Sequence, residues 1–560
     1  MSVLFKNGYV VNVFTEETVK ANVLVSDGRI VGVGDYREAD ETVDVSGKYI
    51  CPGFIDGHIH IESTMMIPPM LARAVLPHGT TSIVADPHEI ANVCGKDGIK
   101  YILEKSRKLP LSIYCMLPSC VPASEFDESG AVLTAADLRE FYEEESVLGL
   151  AEMMNYPGVI YGDEEVYNKI NDAFMYNRRV DGHAPLLTGN DLDKYVSAGV
   201  TSDHECTSFE EAKEKLGKGQ WIMIRQGTAA KNLDALIGLL EEPYASRCLF
   251  ATDDCHPADI LNAGHIDNII RLAIKKGVKP ERAVRVATIN AAVCFGLKGV
   301  GAIAPGYRAD MVILDSIDAF TVAEVYSGGK LAASSCGVVD FAVPEADREL
   351  EARVRDTINL GKCDANSFMI EPKGDKCRVI SVIPGSIITD EVKVQIDWNK
   401  HNGIDVSGDI LKLAVVERHN KTEHIGLGFI SGIGIRKGAI ASSVSHDSHN
   451  IIVIGTNEED MATAVNHIIS MGGGNVVVEG GTILADMALP IAGLMSDKTA
   501  KEIATENAKV RSKAHELGAP QNVEPFMNMA FVSLPVIPHL KMSTTGLVDV
   551  DAWKRVPLYL

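Results

Sequence analysis

The chain has 560 residues, of which 46% are hydrophobic and 23% charged, a composition typical of globular proteins and not of disordered ones. This length exceeds what one hydrophobic core usually supports, so two or three domains are expected. The formal net charge of −23 at pH 7 disfavours nucleic acid and anionic membrane surfaces as partners.

The start of the chain and its cysteines indicate the compartment in which it works. The opening MSVLFKNGYVVNVFTEE lacks the basic and long apolar regions of a signal peptide, and no uncharged apolar run of membrane-spanning length follows. The eleven cysteines are scattered without a C-x-x-C pair, as is typical of reduced thiols. We therefore expect a cytoplasmic protein.

The first fifty residues alternate short β-type runs with glycine turns, which predicts a small antiparallel sheet. This segment is too short to be stable alone, because an isolated small sheet buries little apolar surface. A candidate partner lies at residues 301–315 and 320–326, where a Gly/Pro turn leads into further β-rich runs. We expect residues 1–52 and 301–345 to build one domain from both flanks of the segment between them.

Residues 53–300 alternate β-type runs with segments of helical spacing, such as 135–145, 164–176, 209–216 and 231–240. The eight predicted strands lie at residues 48–55, 80–86, 111–116, 148–152, 180–183, 200–204, 221–225 and 248–253. Alternation of this kind over about 250 residues indicates a parallel α/β sheet, and eight repeats favour a closed TIM-like (β/α)8 barrel. A doubly wound open sheet is the alternative, although no Gly-rich phosphate loop follows the first strand.

Polar side chains recur at the C-terminal ends of these predicted strands. His58 and His60 are one residue apart, so they project to the same side of an extended chain. The other strand ends supply Asp86 with His88 and Glu89, Glu152, His183, His204 with Glu205, Arg225, and Asp253 with Asp254. In a barrel these ends open on one face, where such enzymes do their chemistry. Imidazole and carboxylate ligands suit zinc, manganese or iron(II).

Several motifs resemble those of the amidohydrolase superfamily and, more narrowly, of the bacterial adenine deaminase family. The superfamily motifs are PGFIDGHIH at 52–60, Thr252-Asp253 and PGYRAD at 305–310. The narrower resemblance rests on HIHIES at 58–63, DPHEI at 86–90, GLAEMM at 149–154, DGH at 181–183, GHID at 264–267, VSHDSHN at 444–450 and LPIAGLM at 489–495. It covers nearly the whole chain, including the C-terminal third.

The resemblance implies a metal-dependent hydrolase with three domains. These are a small β-sandwich of residues 1–52 with 301–345, a hydrolase barrel at 53–300, and a C-terminal α+β domain at 346–560. The implied reaction converts adenine and water to hypoxanthine and ammonia in purine salvage. It implies two divalent ions, Mn²⁺ or Fe²⁺, with Zn²⁺ as the remaining option. Adenine is thus the expected small-molecule partner, and we expect a homo-oligomer, namely a dimer.

The resemblance also assigns metal ligands, residue by residue. One metal is held by His58, His60 and Asp253, the other by His183 and His204, and Glu152 bridges both. Many binuclear relatives place a carboxylated lysine where this chain has Glu152, which argues against a dihydroorotase or hydantoinase activity.

Four residues are implied as catalytic. Asp253 is expected to take a proton from the attacking water and pass it to the leaving ammonia. The proton that ring N1 must gain is expected from Glu89 or Asp86, and the residues do not decide between them. His88, in the same motif, is a further catalytic candidate.

Some assignments stay open at this stage. Arg225 is expected either to contact the substrate or to pair with a neighbouring carboxylate. His446 and His449, beside Asp447, have the spacing of a metal site, but hydrogen bonds that stabilise a turn are favoured. A non-catalytic binding protein would lack one or more of the six ligands, and none is missing. The remaining rival is another amidohydrolase, acting on a different purine or a cyclic amide.

Overall fold

The computed structural model describes residues 1–228, 230–384 and 386–560. These residues form two compact units. The first comprises Met1–Pro87, Ile102–Ser119 and Thr134–Glu345; the second comprises His88–Tyr101, Cys120–Leu133 and Ala346–Leu560. The segments 88–101 and 120–133, expected within the barrel domain, thus group with the C-terminal unit.

One sheet of the first unit combines strands from both flanks of the central segment. Its strands are Ser2–Asn12, Glu17–Ser26, Arg29–Gly34, Glu41–Asp44, Tyr49–Pro52, Met311–Ser316, Thr321–Ser327, Lys330–Ser334 and Gly337–Val338. The two flanks join where Tyr49–Pro52 pairs antiparallel with Met311–Ser316. Ile50, Ile313 and Phe5 are fully buried in the core that this pairing creates. The short N-terminal segment thereby gains the partner strands that its stability requires.

The central segment contributes parallel strands in two runs, as far as the described residues go. The first run is ordered Arg179–Gly182, Val147–Met153, Ser112–Leu117, Thr80–Ala85, Phe54–Ile59; the second is Ser202–Asp203, Trp221–Arg225, Cys248–Ala251. The backbone connects the runs at both ends. The amide of Asp253 donates to the carbonyl of His58 over 2.9 Å, and that of Thr201 donates to the carbonyl of Val180 over 3.0 Å. The predicted α/β mixture is confirmed.

Helices separate these strands along the chain. In the first unit they are Pro68–Val75, Ala135–Leu138, Tyr156–Tyr161, Glu164–Met175, Gly189–Ser197, Phe209–Gly217, Leu233–Leu236, Pro257–Ala263, Ile266–Lys275, Pro280–Val286 and Ile289–Phe295. Helices His88–Cys94 and Lys96–Ser106 follow the strand Thr80–Ala85. Ile266–Lys275 is representative, because it buries Ile266, Ile269, Ile270 and Ala273 at helical spacing.

The second unit is built on its own sheet, an α+β arrangement. The strands of this sheet are Lys376–Val382, Thr389–Gln395, Leu411–Val416, Ile425–Ser431, Ala439–Ser442, Ile451–Gly455, Gly474–Glu479 and Thr482–Ala488, and a smaller sheet contains Leu540–Ser543, Gly546–Asp549 and Lys554–Arg555. Its further helices are Arg348–Arg355, Glu458–Met471, Ala500–Glu516 and Pro525–Ala530. Among the described residues, no helix combines the length and the apolar character that crossing a membrane requires.

Candidate metal centre

Two neighbouring strand ends bring together a first donor group, consisting of His58, His60 and Asp253. The Nε2 atoms of His58 and His60 lie 3.2 Å apart. Asp253 follows the strand Cys248–Ala251, and its Oδ1 lies 3.1 Å from Nε2 of His60 and 3.6 Å from Nε2 of His58. All three side chains are buried.

A second donor group, consisting of His183 and His204, lies beside the first. Nδ1 of His183 and Nε2 of His204 are 3.3 Å apart. Glu152, at the end of Val147–Met153, stands between the groups. Its Oε2 lies 2.8 Å from Nδ1 of His183 and 3.1 Å from Nε2 of His204, while its Oε1 lies 3.3 Å from Nε2 of His60. Each carboxylate oxygen of Glu152 therefore faces a different donor group.

These separations fit the ligands of metal ions. Nitrogen and oxygen ligands about 2.0–2.2 Å from an ion lie roughly 3.0–3.5 Å from one another. The tautomer of His60 fits as well, because its Nδ1 lies 3.1 Å from the carbonyl oxygen of Asp86. A carbonyl only accepts, so Nδ1 carries the proton and Nε2 of the neutral ring presents its lone pair to the centre.

The electrostatics of the site favour an added positive charge. Burial opposes the protonation of His60 and His204, but the carboxylates beside them outweigh it and raise the pKa of both well above its usual value. Burial likewise opposes the ionisation of Glu152, yet hydrogen bonds from His183 and His204 bring its pKa well below the usual range. Buried carboxylates require such compensation, which protons on the imidazoles or divalent cations can supply.

Arg225 pairs with carboxylates, one of the two roles expected for it. Its Nη1 donates to Oδ2 of Asp253 and to Oε1 of Glu205, each over 2.5 Å, and its Nη2 donates to Oε2 of Glu205 over 2.9 Å. Burial opposes the charge of Asp253, but Arg225 and the nearby imidazoles bring its pKa well below the usual range. Arg225 therefore holds Asp253 both ionised and fixed in orientation.

A buried charge network lies behind the second donor group. Nζ of Lys215 donates to Oδ2 of Asp203 over 3.0 Å and to Oε1 of Glu211 over 2.8 Å. The two carboxylates also accept the backbone amides of the loops that carry the histidines, namely those of Ala184, Leu186, Glu205 and Thr207. Lys215 is fully buried. The network thus ties the loop after His183 to the loop after His204.

The candidate catalytic residues of the DPHEI motif do not all belong to the same unit. Asp86 follows the strand Thr80–Ala85 in the first unit and is buried. His88 and Glu89 begin the helix His88–Cys94 in the second unit and are also buried.

Within the second unit, Glu89 neighbours the two histidines that the sequence singles out. Its Oε1 lies 3.5 Å from Nδ1 of His446, and its Oε2 lies 4.0 Å from Nε2 of His449. The amide of Ser445 donates to Nδ1 of His449 over 3.2 Å, which is the local hydrogen bonding favoured for this turn. That bond leaves the proton of a neutral His449 ring on Nε2, so this nitrogen offers a hydrogen bond and no lone pair.

Sequence analysis names Glu205 among the polar side chains at the strand ends without assigning it a role, and it does not single out Lys215. The place of Glu205 directly after His204 was a usable signal. Lys215 offered none, because a lysine in the helix Phe209–Gly217 is indistinguishable by pattern from a solvent-exposed one.

Two protein families, named relatives and solved structures are similar to this chain. The family model described as "Amidohydrolase family" matches residues 49–332, and that of the "Adenine deaminase C-terminal domain" matches residues 386–554. "Adenine deaminase 2" of Carboxydothermus hydrogenoformans is 46% identical over 100% of this chain and 97% of its own length. The adenine deaminase of Clostridium acetobutylicum is 45% identical over 99% of this chain and 97% of its own. Among solved structures, dihydropyrimidinase from Brevibacillus agri is 17% identical with a TM-score of 0.48, covering 60% of this chain and 96% of its own.

Proposed function

The chain belongs to the adenine deaminase family of amidohydrolases, and from this premise we propose how its residues carry out the reaction. The enzyme hydrolyses adenine to hypoxanthine and ammonia. The observation that carries this conclusion is the identity of 46% to an adenine deaminase along the full chain. Another purine or a cyclic amide as the substrate is not favoured.

The proposed centre holds two divalent ions, with manganese or iron(II) favoured and zinc as the alternative. The first donor group would hold one ion, the second donor group the other, and Glu152 would give one oxygen to each. The separations of the donor atoms and the Nε2 lone pair of His60 support this assignment. When bound, such ions lower the pKa of water so that a nucleophile is available near neutral pH.

Asp253 is the proposed proton carrier. Arg225 occupies its Oδ2, so Oδ1 is the oxygen turned toward the donor groups. At that atom Asp253 accepts a proton from the water that attacks C6 of adenine and delivers it to the departing ammonia. The proton that N1 gains comes from Asp86 or Glu89, with His88 as a further candidate. The donor is protonated again by the C6 hydroxyl group as the carbonyl of hypoxanthine forms and ammonia leaves.

The finer architecture is also part of the proposal. The parallel strands would close into a (β/α)8 barrel, and the backbone bonds at Asp253 and Thr201 support that closure. The sheet that combines strands from both flanks of the central segment would form the β-sandwich domain. A cytoplasmic homodimer with no nucleic-acid or membrane partner remains a prediction from composition and resemblance.

Ammonia release from a panel of compounds tests the function. With manganese-loaded protein we expect rapid release from adenine and a kcat/KM for adenosine that is roughly tenfold lower or more, because a pocket for the free base resists an added ribose. Metal-free protein is the control. Equal rates on adenine and adenosine, or ring opening of dihydroorotate without adenine turnover, would contradict the assignment.

Loss of the charge network behind the second donor group should selectively weaken the binding of one ion. Lys215→Met leaves Asp203 and Glu211 buried without a counter-charge, so the loops carrying His183 and His204 lose their common anchor. We expect the affinity for one ion to fall roughly 10–100-fold while the other is retained, as for other changes behind metal ligands. Titration of metal-free protein measures both affinities.

Lys213→Met is the matched control, because Lys213 is exposed on the same helix. If Lys215→Met lowers the affinity for both ions equally, or for neither, the network does not act on the second donor group.

A further inference from the structure

The second donor group has a carboxylate neighbour to which the family resemblance assigns no role. Oε1 of Glu205 lies 3.3 Å from Nε2 of His204 and 3.5 Å from Nδ1 of His183. Those two nitrogens are themselves 3.3 Å apart. The three atoms are thus as close to one another as ligands of a single ion are.

Glu205 lies beside the two histidines of the second donor group in the same way that Asp253 lies beside the two histidines of the first. Each carboxylate turns one oxygen toward a pair of histidine nitrogens, and both bind the same guanidinium. Nη1 of Arg225 donates to Oδ2 of Asp253 and to Oε1 of Glu205. One arginine therefore holds a carboxylate on each side of the centre.

The oxygen that faces the histidines retains the capacity to bind a metal. A carboxylate oxygen has two lone-pair directions, and Arg225 takes one of those on Oε1 of Glu205. The side chain of Glu205 is 16% exposed, so it lines the centre without being sealed inside the protein.

Hydrogen bonds from the Asn232 side chain to the backbone hold this arrangement in place. Oδ1 of Asn232 accepts the amide of Arg225 over 2.6 Å, and its Nδ2 donates to the carbonyl of Cys206 over 3.0 Å. Asn232 thereby connects the strand end that carries Arg225 to the loop that carries Glu205. Such pre-organisation is what a metal site of defined geometry requires.

We propose that Glu205 is a ligand of the second divalent ion, oriented by Arg225. Each ion then has two histidines, one oxygen of Glu152 and one further carboxylate. This inference rests on the proposed binuclear centre and adds a protein ligand to its second ion. Without Glu205, the second ion would have only His183, His204 and Glu152 as protein ligands.

Two substitutions separate ligation from ion pairing. Glu205→Gln keeps an acceptor for Arg225 but removes the charge. Glu205→His supplies an imidazole whose single lone pair can bind metal, which leaves no acceptor for Arg225. Metal-free proteins are titrated with Co²⁺, whose visible absorption reports the coordination of each ion. Glu210→Gln, which changes an exposed carboxylate nearby, is the control.

We expect wild-type protein and the control to take up two ions. In Glu205→Gln the affinity for one ion should fall roughly tenfold or more, the loss that even an outer partner of a ligand causes. In Glu205→His, binding should recover with an altered absorption spectrum. Two ions bound equally well by wild type and Glu205→Gln, or a Glu205→His protein no better than Glu205→Gln, would overturn the ligand assignment alone. A wild-type protein that binds one ion would overturn the binuclear centre together with it.

Discussion

Glu152→Gln is expected to lower metal binding and adenine turnover together. Glu152 is buried, and each of its oxygens faces a different donor group. The amide of glutamine keeps the shape but offers one acceptor oxygen where the carboxylate offers two, and it removes the negative charge that offsets two dications. The affinity for both ions should fall by more than the roughly 10–100-fold that is lost when a residue hydrogen-bonded to a metal ligand is replaced.

The measurement is metal content by elemental analysis beside turnover on the same sample. Glu143→Gln, which changes an exposed carboxylate of the same unit, is the matched control and should behave as wild type. A Glu152→Gln protein that retains two ions would place the bridge elsewhere.

Asp253→Asn is expected to lower turnover more than it lowers metal content. An asparagine oxygen still binds an ion, but an amide does not accept the proton that leaves the attacking water. Loss of such acid–base catalysis costs roughly a hundred- to ten-thousandfold in rate. Some metal affinity should also be lost, since the amide nitrogen would face Nη1 of Arg225, a contact between two donors.

Turnover is therefore compared at saturating manganese, with the bound metal measured in parallel. Asp254→Asn is the control, because the neighbouring Asp254 accepts a hydrogen bond from Ser63 and is not among the proposed ligands. Near wild-type turnover of Asp253→Asn with both ions bound would remove Asp253 from the proton path.

Local patterns in the sequence predicted much of the fold. Apolar runs bounded by turns located seven of the eight predicted strands of the central segment to within a few residues. The first, predicted at 48–55, is observed as two strands: Tyr49–Pro52 in the sheet of both flanks and Phe54–Ile59 in the central segment. The helices predicted at 164–176 and 209–216 are observed as Glu164–Met175 and Phe209–Gly217. The segment 135–145 was less well predicted, since only Ala135–Leu138 and a short 3₁₀ turn form there. These successes reflect periodicities of two and 3.6 residues, which a chain carries in its own order.

The prediction of the site depended on both the residue pattern and the family resemblance. The residue types at the strand ends predicted a cluster of imidazoles and carboxylates, and the structure brings His58, His60, Glu152, His183, His204 and Asp253 together. Their individual roles came from the family resemblance, and the comparisons confirm that family. Pattern alone does not distinguish a ligand from a hydrogen-bonded surface histidine.

The sequence by itself therefore determined where strands and helices form, which flanks share a sheet, and which residue types meet at the strand ends. Only the tertiary structure decided which charged side chains pair with each other. Arg225 joins Glu205 to Asp253, and Lys215 is buried between two carboxylates, because strand register and loop paths bring these charges together. No local periodicity encodes such pairs. A buried ion is tolerated only where distant parts of the chain supply its counter-charge, and that condition exists only once the chain has folded.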